Sequence, residues 1–91
     1  LGQNHPLLAQ TLESLAVLER DQGKLPEAEK LFQRTLAIRE KLLGPDHPAT
    51  AYTLEHYADV LRRMNRRPEA EKLEGRAKTI REQHAKDNSP K

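Results

Sequence analysis

The sequence predicts an all-α domain of two helical hairpins stacked on one another. Three observations carry this. Shifted by 42 residues, the chain falls on itself: Leu1-Gly2-Gln3-Asn4-His5-Pro6 meets Leu43-Gly44-Pro45-Asp46-His47-Pro48, and Pro26–Leu31 meets an identical Pro68–Leu73. Residues 1–42 and 43–84 share 20 identities in 42 positions. Apolar residues recur at three- and four-residue spacing, as one face of a helix requires. Proline opens each such stretch, and glycine or asparagine closes the first three. A repeat of this length is a supersecondary unit that buries its apolar face only against a neighbour, so the expectation is a stacked array.

The first helix is expected from Pro6 to Gln22, with Leu8, Leu12, Leu15 and Ala16 inward. Pro6 suits the first helical position, where a missing N–H costs nothing, and Gly23 ends the helix in a left-handed turn. The second runs from Pro26 to Leu42, with Ala28, Leu31, Phe32, Thr35, Ile38 and Leu42 as its buried stripe. Gly44-Pro45 stops it. The third runs from Pro48 to Met64, with Ala51, Leu54, Tyr57, Ala58 and Leu61 inward, and Asn65 replaces Gly23 at its end. The fourth runs from Pro68 to Ala85, with Ala70, Leu73, Ala77 and Ile80 inward. The units therefore span 1–42 and 43–84, followed by a polar tail, 85–91, in which Asp87–Lys91 is expected to fray. Ala16, Ala28, Ala58 and Ala70 are small where paired helices must approach; a large side chain there would force them apart.

Composition narrows the functions. The chain has 91 residues, 35% hydrophobic and 33% charged, lean for an autonomous globule but normal for a slice of an array with two wet surfaces. With no cysteine, disulfides and Cys-based zinc sites are excluded. No apolar run approaches the roughly 20 residues of a membrane span, and no signal-peptide pattern opens the chain. A cytoplasmic protein is expected. The chain opens on Leu rather than Met, so a fragment of a longer protein is expected as well. Net charge is +2, with the basic excess gathered at Arg62, Arg63, Arg66 and Arg67.

These stretches resemble the tetratricopeptide repeat, in the 42-residue variety of kinesin light chains and many bacterial repeat proteins. The family pattern L-G-x-x-H-P, L-x-x-L-A-x-L, Q-G-x-x-x-E-A-E and R-A-L-x-I-x-E-K is met at Leu1–Pro6, Leu12–Leu18, Gln22–Glu29 and Arg34–Lys41. The second unit meets it at Leu43–Pro48, Leu54–Leu61, Glu69–Glu71 and Arg76–Glu82. About 84 of the 91 residues take part. The resemblance implies a right-handed superhelix whose first helices line a concave groove that receives a peptide or helix of a partner protein. Carried over, the groove positions are Gln10, Glu13, Ser14, Val17, Arg20 and Asp21 in unit one, and Tyr52, Glu55, His56, Asp59, Arg62 and Arg63 in unit two. Where kinesin light chains place paired asparagines, this chain has Glu13-Ser14 and Glu55-His56. The lysine/asparagine set with which other repeats clamp a terminal carboxylate is also missing.

Unit two ends differently from unit one. Phe32 becomes Glu74, Leu36 becomes Lys78 and Leu42 becomes His84, as expected where the last face of an array meets water. The chain therefore reads as the C-terminal end of a longer array. Leu1, Leu7 and Leu8 read as a face made for a preceding unit, through which an isolated fragment would self-associate.

Chemistry finds no foothold. His5 and His47 recur with the repeat and precede proline, so they shape a helix start rather than a metal or catalytic site. His56 lacks a second ligand at zinc spacing. Ser14 and Ser89 are the only serines, outside any nucleophile elbow. Glu27/Glu29 and Glu69/Glu71 favour the positive start of their helices. No catalysis, cofactor or metal is expected. Abundant acids and three aromatics (Phe32, Tyr52 and Tyr57) argue against nucleic acid. The two readings carried forward are a groove that docks a protein segment, acidic if Arg62 and Arg63 are free, and a structural cap of an array that self-associates. Tyr52, an aromatic on the groove side, is the expected anchor. The pairing of the groove arginines discriminates between the readings.

Overall fold

The computed structural model describes residues 5–87 and contains four helices: α1 (Pro6–Asp21), α2 (Leu25–Leu43), α3 (Pro48–Arg63) and α4 (Arg67–Asp87). α1 and α2 form one hairpin, α3 and α4 the other, and α2 packs on α3 to join them, while α1 touches α3 only lightly. The result is a slab of 45 × 35 × 17 Å.

The helix ends follow from local chemistry. The imidazole Nδ1 of His5 accepts the Leu7 N–H at 3.0 Å, and that of His47 accepts the Ala49 N–H at 3.0 Å. Each histidine thus caps the helix that its proline opens, satisfying a backbone donor the helix itself leaves orphaned. Gly23 closes α1 at φ +82° and Asn65 closes α3 at φ +62°. Lys24 and Arg66 then return their N–H groups to Glu19 and Leu61. Helices α2 and α4 begin one residue before the expected prolines, and α4 runs two residues beyond Ala85. Residues 1–4 and 88–91, including Leu1, Ser89 and most of the expected tail, lie outside the described residues.

The small residues sit where the hairpins close: Ala16, Ala28, Ala58 and Ala70 are fully buried. Phe32, also fully buried, is the wedge between units, in one cluster with Tyr57, Val60 and Leu61. Two inward expectations are corrected. Leu15 is 42% and Leu42 41% exposed. Tyr57, the counterpart of Leu15, is covered by α2, but no described element covers the same face of α1. Leu42 lies in the last turn of α2, at the rim. Leu7 is likewise exposed, and Leu8 is half-buried.

Candidate functional site

The expected groove positions fall into two groups. Those that reach solvent are Gln10, Ser14, Asp21, Tyr52, Glu55, Arg62 and Arg63, with Val17, Arg20, His56 and Asp59 half-buried. Glu13 is instead buried, at 6% exposure. The second turn of α1 aims its carboxylate at α2 and α3: Arg39 donates to it at 2.5 Å, and Thr53 donates to it at 2.8 Å. Arg39 also donates to the Thr53 hydroxyl at 2.8 Å. Three helices are tied by one charge-assisted cluster, and Glu13 is unavailable to a ligand.

The remaining charges are largely committed to one another. Arg20 reaches Asp59 at 3.3 Å and Asp21 at 3.3 Å. Arg63 also contacts Asp59, at 3.1 Å. Arg62 is held bidentate by Glu74 at 2.6 and 2.8 Å, on α4 rather than across the groove. Arg81 holds Glu55 bidentate at 2.6 and 2.8 Å, and this bond keeps the Glu55 carboxyl below its usual range. Arg66, one of the four arginines of the basic excess, bridges Glu29 of unit one and Glu69 of its own unit.

Against this neutralised background stands a ladder of rings. Phe32 is fully buried; the His56 ring lies parallel to it, 6.1 Å away and 9° off; the Tyr52 ring meets His56 edge-on at 4.3 Å and 68°. Tyr52 is 46% exposed. Arg20 Nη1 lies 3.0 Å from His56 Nδ1. A guanidinium only donates, so His56 accepts there and carries its proton on Nε2. Burial, and then the Arg20 charge, lower the His56 pKa below the usual histidine value, keeping the ring neutral. Tyr52 is therefore an exposed aromatic on a rigid base, at the position in unit two that Gln10 holds in unit one. Gln10 in turn lines an apolar cavity of about 210 Å³ with Ala9, Leu42, Leu43, Ala49 and Arg39.

The pairs Glu13–Arg39 and Glu55–Arg81 were missed from sequence. Their signal was present: both members recur after 42 residues, each pair 26 apart. Among the described residues no three His, Asp or Glu side chains converge as a metal site would need, and no helix is long and apolar enough to cross a membrane. No curated relative matches the chain. The family model of the tetratricopeptide repeat matches residues 2–83, a match that takes in α1, α2, α3 and most of α4. The chain belongs to the tetratricopeptide repeat family.

Proposed function

We propose that the α1/α3 face receives a segment of a partner protein, with Tyr52 as the anchor. The family, whose members generally mediate protein–protein interaction without catalysis, supports the class of function. The observation that carries the site is the exposed Tyr52 ring braced by His56 on Phe32. An aromatic already held in place loses little entropy on contact, which is what binding hot spots exploit. Since Arg20, Arg62 and Arg63 each have a carboxylate partner, the ligand this face favours is uncharged. An aliphatic or aromatic side chain would lie on Tyr52, and a second apolar side chain would enter the cavity beside Gln10. An acidic partner is the expectation for free Arg62 and Arg63, and both are paired. The 42-residue kinesin-light-chain-like type remains our reading of the repeat length and the His-Pro motif.

A peptide-display selection against the intact chain tests the proposal. Enrichment of apolar or aromatic peptides is expected, with affinity reduced at least several-fold in Tyr52→Ala and little changed in Arg62→Glu/Arg63→Glu. Acidic peptides lost in the arginine variant, with Tyr52→Ala silent, would overturn it. The second reading, a cap that ends an array, is favoured by two observations: the groove arginines are paired within the chain, and the α4 positions that match Phe32 and Leu36 are Glu74 and Lys78.

A further inference from the structure

The junction between the two units is held by polar contacts whose register repeats at both ends of the molecule. Inside, Thr53 of unit two meets the Glu13/Arg39 pair of unit one, Arg66 meets Glu29, and Arg76 meets Glu40. Moved back by one unit, the receiving residues Thr53, Arg66 and Arg76 become Thr11, Lys24 and Arg34. These lie exposed on the outer face of unit one. Moved forward by one unit, the offering residues become the Glu55/Arg81 pair, Glu71 and Glu82, exposed on the outer face of unit two. The Glu55/Arg81 pair is already assembled. Among the described residues, Lys24, Arg34, Glu71 and Glu82 carry no salt bridge. The charge signs at the two ends are those of the internal junction.

The apolar pattern agrees at one end and is weakened at the other. Leu15 and Leu18, 42% and 52% exposed, occupy the places of buried Tyr57 and Val60. Inside, the Tyr57 hydroxyl needs Gln33, which donates to it at 2.8 Å. At the ends Tyr57 becomes Leu15 and Gln33 becomes Gly75, so the hydroxyl and its donor vanish together and neither leaves an orphaned group. Phe32 and Leu36 become Glu74 and Lys78, and Glu74 is already satisfied by Arg62.

We propose that a second copy of the chain stacks head to tail, its α4 face on the α1 face of the first. Lys24 and Arg34 would then pair across the contact with Glu71 and Glu82. A leucine-to-leucine contact between two α1 faces would bury Leu15 and Leu18 equally well, but it offers Lys24 and Arg34 no such partners. The lost Phe32 and Leu36 equivalents make this contact weaker than the internal one, reversible and salt-sensitive. Being heterologous, it extends rather than closing at a pair, and it leaves the Tyr52 face open. The proposal does not rest on the groove reading; it gives the self-association reading a geometry.

Sedimentation velocity of the intact chain at rising concentration tests it, with circular dichroism confirming that every variant is folded. The sedimentation coefficient is expected to climb with concentration at low salt and fall back in high salt. Arg34→Glu and Glu82→Arg each weaken the association at least several-fold. An equimolar mixture of the two variants, or both changes in one chain, restores it, because each reversed charge again meets its opposite. A monomer at all concentrations would overturn the proposal. So would association that ignores both reversals but is lost in Leu15→Lys/Leu18→Lys, which would point to facing leucines instead.

Discussion

At the scale of the residue, two kinds of histidine divide the labour. His5 and His47 cap helices through Nδ1, each holding the backbone N–H two residues on. Replacing a side-chain cap by alanine costs about 1 kcal/mol. His47→Ala should lower the urea midpoint accordingly, while His47→Asn, another good cap, should retain most of the stability. His56 works instead through its neutral ring. Its pKa is lowered in the folded chain, first by burial and then by Arg20, with Glu13, Asp59 and Glu55 pulling the other way. The unfolded chain therefore binds the extra proton first as pH falls. The contribution of neutral His56 to stability is complete above the ordinary value of 6.5 and is lost as pH drops through the lower folded value. Thermal midpoints measured from pH 7.5 downward should begin to fall below about pH 6.5, before the carboxylates titrate. His56→Gln should flatten that early part of the curve. An equally steep fall in the variant would assign it to another group.

At the scale of the element, α2 and α3 do the joining, since each packs on its own hairpin partner and on the other. Phe32 of α2 is wholly buried between units. Truncating a buried phenylalanine costs about 3–5 kcal/mol through lost burial and the cavity left behind. Phe32→Ala is expected to lose that much by urea unfolding, and to lose helicity in both hairpins together. Loss confined to the first hairpin would mean the units fold independently. The helices were legible in sequence because their signals are local: proline at the start, glycine or asparagine at the end, and alanine where backbones approach. Leu15 and Leu42 were misread because helical spacing says which face is apolar, not whether another element covers it. The ion pairs were missed for a related reason. Arg66 lies in a turn by sequence, yet its partner Glu29 is 37 positions away, brought near only by the stacking of units. Of the groove, Tyr52 and His56 were legible as side chains on the right face, but their stacking on Phe32 depends on where α2 and α3 meet.

At the scale of the whole molecule, the balance of charge and apolar surface decides what the two hairpins can do. The buried Glu13–Arg39–Thr53 cluster joins three helices, and the Arg66 and Arg76 bridges carry the connection from one unit to the other. Separate pairs, Arg62 with Glu74, Glu55 with Arg81, and Asp59 with Arg20 and Arg63, neutralise most of the groove charge within the molecule, so Tyr52 and its neighbours stand out as the surface a partner would touch. The most direct test is to map a peptide selected on the intact chain by changes in the backbone amide resonances. The account predicts that the shifts gather at Tyr52, His56, Gln10 and Ser14, along α1 and α3. Shifts gathered on the outer face of α4, with Tyr52 and Gln10 unmoved, would contradict it.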